Sequence, residues 1–276
     1  MQVDHEPVHK PLKPANTANM IVFTDLDGTL LDHETYSYAE AGGALALLRE
    51  RRIPLILASS KTAAEILPLR EKLGFQHCEA IVENGAGLLA PGNPDRNAAT
   101  DYQQILDILS GLPNELRAGF TGFSDWSAQE VADRTGLSVQ NSELAKQRYF
   151  SEPGLWSGDD QKFEAFCRQL KAKGVMVQQG GRFISLSFGG NKAGQMLELQ
   201  KRYHTTDQRA CSIALGDAEN DIAMLEAADL GVIIPNPDHK GIPRLAGEAD
   251  GSIIRAVTPG PNGWNETIQT LLANKE

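Results

Sequence analysis

The sequence has 276 residues, of which 41% are hydrophobic, and its 36 acidic and 26 basic residues give a formal net charge of −10. This length predicts one large or two modest domains, each with a proper hydrophobic core. The acidic balance argues against nucleic acid or an anionic membrane as a partner, because both carry negative charge.

The compartment is indicated by the cysteines and by the start of the chain. The three cysteines are widely scattered without a C-x-x-C pair, which favours a reducing environment over a disulfide framework. Residues 1–19 are polar and rich in proline, so that we expect a flexible tail there and no signal peptide. No apolar run approaches the roughly 20 residues of a membrane span. These features predict a cytoplasmic protein without a membrane partner.

Strand and helix patterns alternate from Met20 to about residue 89. Apolar residues at helical spacing cover Ala39–Arg52 and Thr62–Leu73, and the Gly74 that follows is typical of a helix end. Three short apolar runs have the pattern of strands buried on both faces: Ile21–Thr24, Ile53–Ala58 and Ala80–Glu83. This β-α-β order predicts a parallel sheet that is covered by helices.

The middle of the chain, residues 90–189, is richer in polar residues and turn signals. It combines helical patterns with two alternating strand patterns, and this mixture predicts a smaller α+β insert. The helical patterns lie near Tyr102–Leu109, Ser127–Gly136 and Asp160–Lys173. The strand patterns are Val175–Gln179 and Phe183–Phe188.

The first pattern returns after the insert. A helix is predicted over Lys192–Tyr203 and a final helix over Trp264–Leu272, with two apolar strands between them, Ser212–Leu215 and Gly231–Ile234. A parallel core that is interrupted and then resumed assigns residues 20–89 and 190–276 to one domain.

Two aspartates, Asp25 and Asp27, come directly after the first predicted strand, in the run DLDGT. A surface turn is the simple interpretation, because Asp and Gly are common in turns. An EF-hand loop requires Gly at its sixth position and Glu at its twelfth, and those positions hold Leu30 and Tyr36. Ligands of open parallel sheets bind at the carboxyl ends of the strands, so that the pair is favoured as a functional site.

A second acidic motif, GDAEND, follows the strand Ser212–Leu215 and contains Asp217, Asn220 and Asp221. Asp217 on its own is equally well interpreted as a helix cap. Together with Asp25 and Asp27, it predicts an oxygen-rich cluster without histidine or thiolate. Such a donor set suits Mg²⁺.

A magnesium site next to a phosphate also needs hydrogen-bond donors. Ser59 ends the second strand, and its hydroxyl with the backbone N–H groups of Ser60 and Lys61 is a candidate phosphate or substrate site, with a helix cap as the alternative. Lys192 opens a helix after a glycine turn, where it can neutralise an anion together with the helix N-terminus. An isolated lysine would otherwise be a solvated surface residue.

These four motifs, in this order, resemble the haloacid dehalogenase-like phosphohydrolase superfamily, in the branch with a Cof-type cap. The resemblance implies an α/β fold with a doubly wound, Rossmann-like parallel-sheet core and an inserted α+β cap, here residues 90–189. Most members of that branch have Thr-Gly-Arg after the second strand, where this chain has Ser59-Ser60-Lys61. The implied substrate is a small phosphorylated sugar or glycerate.

The resemblance also implies a role for each motif residue. Asp25 would be the nucleophile that forms an aspartyl-phosphate, and Asp27 the general acid and then the base. Mg²⁺ would be held by Asp25, Asp217 and the backbone carbonyl of Asp27. The remaining candidates bind the phosphoryl group or substrate, or support the metal and its loop: Ser59, Ser60, Lys61, Lys192, Asn220, Asp221 and, in the cap, Arg182.

Several other functions are alternatives to a phosphatase. A P-loop enzyme needs G-x-x-x-x-G-K-[ST], which is absent, and the loose dinucleotide pattern at Gly85 is followed by a loop and not by a helix. A phosphotransferase or mutase on the same scaffold would pass the phosphoryl group to a sugar instead of water. A non-catalytic binding module is disfavoured because both Asp25 and Asp27 are intact. No sequence pattern predicts an oligomeric state.

Overall fold

The computed structural model describes residues 19–92, 99–180, 182–205, 208–238 and 240–273. The predicted tail, residues 1–19, lies outside the described residues except for Asn19. Within these ranges the chain forms two sheets. The strands in chain order are β1 Met20–Thr24, β2 Leu55–Ala58, β3 Ala80–Val82, β4 Gly87–Leu89, β5 Phe120–Gly122, β6 Ser151–Trp156, β7 Met176–Gly180, β8 Phe183–Ser187, β9 Cys211–Gly216, β10 Leu230–Ile233 and β11 Ile253–Arg255.

The α-helices pack against both sheets, and a 3₁₀ turn at Ala39–Ala41 precedes the first of them. The helices are α1 Gly42–Glu50, α2 Ala63–Leu73, α3 Ala99–Ser110, α4 Asn114–Arg117, α5 Ala128–Thr135, α6 Val139–Ala145, α7 Asp160–Ala172, α8 Lys192–Arg202, α9 Ile222–Ala227 and α10 Gly260–Ala273. No helix in the described part of the chain is long and apolar enough to cross a membrane.

The larger sheet has seven strands in the order β11-β10-β9-β1-β2-β3-β4. Its pairs are parallel except for the antiparallel pair of β3 and β4. Strand β1 lies in the middle and all five of its residues are buried, which explains its uninterrupted apolar run. The predicted doubly wound parallel core is confirmed.

The smaller sheet has four antiparallel strands in the order β5-β6-β8-β7. It is formed within the predicted insert and packs on its own hydrophobic cluster, which includes Ile105, Phe120, Phe166 and Leu170. The predicted α+β character of the insert is therefore confirmed. The residues at which one domain gives way to the other stay predictions.

The sequence patterns missed several short elements. Strand β6 contains Pro153 and Gly154, two residues that normally count against an interior strand. Strands β4, β5 and β11 have three residues each, too few for a periodic pattern. Helix α2 begins and ends as predicted, because Thr62 forms a capping box with Glu65 and Gly74 ends the helix in the left-handed conformation.

The turn after β3 joins the large sheet to the insert through the buried side chain of Glu83. Its carboxylate accepts hydrogen bonds from the backbone N–H of Tyr149 at 2.9 Å and of Phe150 at 3.2 Å, and from the Ser151 hydroxyl at 2.8 Å. The guanidinium of Arg148 lies 3.4 Å away, and both side chains are almost fully buried. A buried carboxylate therefore ties a segment of the insert to the edge of the large sheet.

We expect Glu83→Ala to lower the free energy of unfolding by about 3–5 kcal/mol, because it leaves the buried Arg148 without its charge partner. Chemical denaturation measures this loss. Glu71→Ala, at an exposed position on α2, is the matched control and should change stability by less than about 0.5 kcal/mol. Equal effects of the two substitutions would contradict the described role of Glu83.

Candidate active site

Three of the predicted site residues converge because three neighbouring strands end at the same edge of the sheet. Thr24 at the end of β1 pairs with Leu215 of β9 and with Leu57 of β2. The residues that follow these strands, Asp25, Asp217 and Ser59, are all buried. The parallel register thus brings motifs that are far apart in the sequence to one place.

Lys192, the first residue of α8, joins two of the acidic motifs. Its ammonium lies 2.5 Å from Oδ1 of Asp25 and 2.7 Å from Oδ1 of Asp221, and its side chain is 2% exposed. Burial alone would lower the pKa of Lys192, but the carboxylates of Asp221 and Asp25 outweigh burial and raise it. The two carboxylates therefore favour the charged form of the lysine inside the site.

Asp217 is fixed by two neutral donors. The Thr29 hydroxyl donates to Oδ1 at 2.9 Å and the Asn236 amide donates to Oδ2 at 2.6 Å. Burial and the nearby charge of Asp221 raise the pKa of Asp217, although the Asn236 hydrogen bond opposes them. Gly28, at φ 82°, leaves the room for this contact, because a Cβ there would lie 2.2 Å from the Asn236 amide nitrogen.

Asn236 is a site residue that the sequence analysis missed. It belongs to the run PNP, which follows β10 after Ile234, and because β10 is the neighbour of β9, Asn236 reaches the same edge of the sheet. A polar residue after an apolar strand is the only available signal, and the two prolines around it are equally common in ordinary turns. Its partner Asp217 lies 19 positions away, which no local pattern reveals.

Asp25, Asp217 and Asp221 form a buried group whose oxygen atoms lie within 4.8 Å of one another, the arrangement of a metal site. These three carboxylates face only one buried cation in the described contacts, Lys192. Burial of unbalanced charge is costly, so that the group fits a hard divalent cation with oxygen ligands. The predicted ligand role of Asp27 concerns its backbone carbonyl and stays a prediction.

The side chain of Asp27 contacts a second cation, the ammonium of Lys61. Its Oδ2 lies 2.7 Å from the ammonium of Lys61, whereas its Oδ1 is buried and has no hydrogen-bond partner among the described residues. Burial would lower the pKa of Lys61, but Asp27 and Glu65 outweigh burial and raise it. Asp27 is therefore held by a charged neighbour on one oxygen, while its other oxygen has no hydrogen-bond partner among the described residues.

The candidate phosphate-binding residues Ser59, Ser60 and Lys61 differ in burial and in their contacts. Ser59 is buried, its hydroxyl accepts a hydrogen bond from the Lys61 N–H at 3.2 Å, and its carbonyl accepts one from the Asn84 N–H at 2.9 Å. Ser60 is exposed. Asn220 is also exposed and donates to the Asn84 side chain at 3.3 Å. Ser59 and Lys61 thus lie against the acidic site, and the substrate-binding roles of all four residues stay predictions.

Arg182 lies in the insert, one residue before β8. Its side chain is exposed and its guanidinium lies 5.8 Å from the centre of the Phe183 ring. The other end of β8, Ser187, leads back to α8 and Lys192. The strand therefore runs from Arg182 toward the core, and no acidic partner of Arg182 is found in the described residues. Its contact with substrate stays a prediction.

Comparison with known proteins assigns the class of this chain. The family model of haloacid dehalogenase-like hydrolases matches residues 22–115 and 129–243. The chain belongs to this family, as its four motifs predict. The match includes the acidic motifs, Ser59 and Lys192.

Two relatives resemble nearly the whole chain, and both are glucosyl-3-phosphoglycerate/mannosyl-3-phosphoglycerate phosphatases. The protein of Persephonella marina is 32% identical over 92% of this chain and 97% of its own length. That of Methanococcoides burtonii is 34% identical over 91% and 97%. The sequence itself predicts a resemblance to mannosyl-3-phosphoglycerate phosphatase through four segments: SSKT, ENGAG, GGRFISL and GPNGW. The predicted enzyme class, a phosphatase, is confirmed.

Solved structures show the same fold at lower sequence identity. The sucrose-phosphatase of Synechocystis, solved with sucrose and phosphate, has a TM-score of 0.58 at 17% identity and covers 92% of this chain and 98% of its own. A phosphatase of the haloalkanoate superfamily from Bacteroides thetaiotaomicron has a TM-score of 0.60 at 17% identity, with coverages of 95% and 98%. The core with its inserted cap is therefore shared.

We expect Asn236→Ala to weaken binding of Mg²⁺ about tenfold or more, because it removes the donor that orients Asp217. Calorimetric titration with Mg²⁺ measures the change without any substrate. Asn141→Ala, at an exposed position on α6, is the control and should bind the ion as the unmodified protein does. Equal affinity in both variants would show that Asn236 does not support a metal ligand.

Proposed function

We propose that this protein is a Mg²⁺-dependent phosphomonoester hydrolase that works through an aspartyl-phosphate on Asp25. The observation that carries the proposal is the placement of Asp25 beside Lys192, Asp217 and Asp221, with the partnerless oxygen of Asp27 nearby. A nucleophile, a cation, a metal site and a proton carrier are what this reaction needs.

In the first half-reaction an oxygen of Asp25 attacks phosphorus, and the bond between phosphorus and the ester oxygen breaks. The leaving oxygen takes a proton from Asp27, so that an alcohol departs and no alkoxide is released. Lys192, 2.5 Å from Asp25, offsets the negative charge that gathers when an anionic phosphate meets a carboxylate. Ser59 and the N–H groups after it bind phosphoryl oxygens.

In the second half-reaction water attacks the phosphorus of the aspartyl-phosphate. Asp27, now ionised, takes a proton from this water, and the bond between phosphorus and Asp25 breaks to release phosphate. Lys61 holds Asp27 in position through its contact of 2.7 Å. Asp27 returns to its starting protonation state, so that the cycle is balanced.

Mg²⁺ would be held by the carboxylates of Asp25 and Asp217 and the backbone carbonyl of Asp27. Asp221 lies in the same cluster but already accepts hydrogen bonds from Lys192 and from the N–H groups of Asp217 and Ala218. We therefore assign Asp221 to the support of the site. When bound, the ion supplies positive charge between the nucleophile and the phosphate, which otherwise repel each other.

The substrate we propose is mannosyl-3-phosphoglycerate, which would yield mannosylglycerate and phosphate. The proposal is supported by the two relatives, which are phosphatases of glucosyl- and mannosyl-3-phosphoglycerate. This chain matches each of them over nearly the whole of its length. The core residues described above recognise only phosphate and metal. The groups that recognise the sugar and the glycerate therefore lie around the mouth of the site and in the insert, with Arg182 as a candidate for the carboxylate or phosphate end.

We expect Asp25→Asn to abolish phosphate release while the fold stays intact, because the amide has nearly the same shape but cannot act as the carboxylate nucleophile. Phosphate release and circular dichroism measure the two properties. Beryllium fluoride with Mg²⁺ should bind to the unmodified protein as a mimic of the acyl-phosphate. Undiminished hydrolysis by the Asn variant would refute the covalent mechanism.

We expect Arg182→Ala to lower kcat/KM for mannosyl-3-phosphoglycerate. The loss corresponds to about 1.5–3 kcal/mol of activation free energy, the value of a lost charge-assisted hydrogen bond. The loss on p-nitrophenyl phosphate, which has no carboxylate, should be much smaller. Arg168→Ala, on the exposed face of α7, is the control for removal of a surface charge. Equal losses on both substrates would assign Arg182 to folding or phosphate binding, and no turnover of the mannosyl compound would reject the substrate.

A further inference from the structure

Tyr36 is an exposed aromatic residue with an unusual backbone. Its side chain belongs to the loop that follows the DLDGT motif and is 44% exposed. Its φ angle is 56°, in the left-handed region that an aromatic residue rarely adopts. Such strained residues persist only where the surroundings fix them, and they are concentrated at functional sites.

The loop around Tyr36 holds this conformation through Asp32. The carbonyl of Asp32 accepts a hydrogen bond from the Tyr36 N–H at 3.0 Å, and the Asp32 N–H donates to the carbonyl of Ser37 at 2.8 Å. The Asp32 carboxylate accepts from the N–H and the hydroxyl of Thr35. The loop is therefore a closed, hydrogen-bonded unit that presents the Tyr36 ring in one direction.

The side chain of Lys61 links the Tyr36 ring to Asp27 in the catalytic centre. The ammonium of Lys61 lies 5.1 Å from the centre of the Tyr36 ring, a cation–π contact, and the same ammonium lies 2.7 Å from Asp27. Asp27 is the group to which we assign protonation of the leaving oxygen. A leaving group protonated by Asp27 would therefore start next to the Lys61 ammonium, which contacts the Tyr36 ring.

The chemistry of the proposed substrate places a sugar at this position. Glycerate has two hydroxyl groups, and when the one on C3 carries the phosphate, the sugar of a glycosyl-3-phosphoglycerate is attached to the one on C2. The hexose is thus only two carbon atoms away from the ester oxygen that Asp27 protonates. The half-exposed ring of Tyr36, one side chain beyond Asp27, is thus a candidate contact for this hexose.

We propose that Tyr36 is the platform on which the hexose of the leaving group stacks, and that it determines specificity for glycosylated phosphoglycerates. The aromatic face contacts the C–H face of a pyranose ring through apolar surface. Glucose and mannose differ in the orientation of one hydroxyl group, and an apolar stacking contact does not distinguish the two orientations. The platform therefore accepts both sugars. This inference rests on the proposed function, which it extends to a residue of the core.

The test compares Tyr36→Ala and Tyr36→Phe on mannosyl- and glucosyl-3-phosphoglycerate, with acetyl phosphate as the reference. Acetyl phosphate has neither a sugar nor an aromatic ring that could stack. In Tyr36→Ala, the ratio of kcat/KM for either hexosyl substrate to that for acetyl phosphate should fall about tenfold, mainly through KM. Tyr36→Phe keeps the ring and should retain the ratio. Val139→Ala, at an exposed apolar position in the insert, is the control.

Three results would overturn the platform: an unchanged ratio in Tyr36→Ala, an equal loss on hexosyl and acetyl substrates, or a loss in Tyr36→Phe as large as in Tyr36→Ala. The second would mean that Tyr36 acts only by holding Lys61, and the third that its hydroxyl is the contact.

Failure of the proposed function has a separate signature, because the unmodified protein would then hydrolyse neither hexosyl substrate. In that case the role of Tyr36 is tested by measuring how strongly mannosylglycerate inhibits the hydrolysis of acetyl phosphate. Weaker inhibition of Tyr36→Ala than of the unmodified protein supports the platform, and equal inhibition constants overturn it.

Discussion

The active site depends on the ion pairs that the buried ammonium of Lys192 forms with two carboxylates. This ammonium contacts Asp25 at the end of β1 and Asp221 in the motif after β9, and without it three buried carboxylates would repel one another with no internal cation. Its position is set by the fold, because α8 begins where the chain returns from the insert. Gly85 lies against this return, and a Cβ there would be 2.1 Å from the backbone of Asn191. The entry and the exit of the insert therefore pack together at the lysine.

We infer that the core binds the phosphoryl group and that the insert contributes to recognition of the leaving group. The edge of the seven-stranded sheet carries the buried acids and the two lysines, and in the proposed mechanism these groups act on the phosphoryl group of any phosphate ester. Glu83 ties the segment Tyr149–Ser151 of the insert to the turn after β3, and the Glu83 N–H donates to the carbonyl of Lys61. The insert is thus connected directly to the loop that carries Ser59 and Lys61. We infer that selection of the leaving group occurs between this loop, Tyr36 and the insert.

The fold and most of the acidic site follow from the sequence, because each signal is local. An apolar run that ends in Asp25 or Asp217 identifies both a strand and the end at which a ligand binds. Asn236, Glu83 and Tyr36 could not be predicted in the same way. Asn236 and Glu83 act through contacts with residues 19 and more than 60 positions away, and Tyr36 is identified by a backbone angle and a neighbouring ammonium that only the folded chain reveals.

The central claim is that Asp25 becomes phosphorylated during each turnover. The direct measurement is to quench the reaction with mannosyl-3-phosphoglycerate and Mg²⁺ within milliseconds, reduce the protein with borohydride and map its peptides by mass spectrometry. An aspartyl-phosphate is reduced to homoserine, so that the account predicts homoserine at position 25 and at no other aspartate. Continued phosphate release with unmodified Asp25, or with homoserine at a different position, would contradict it.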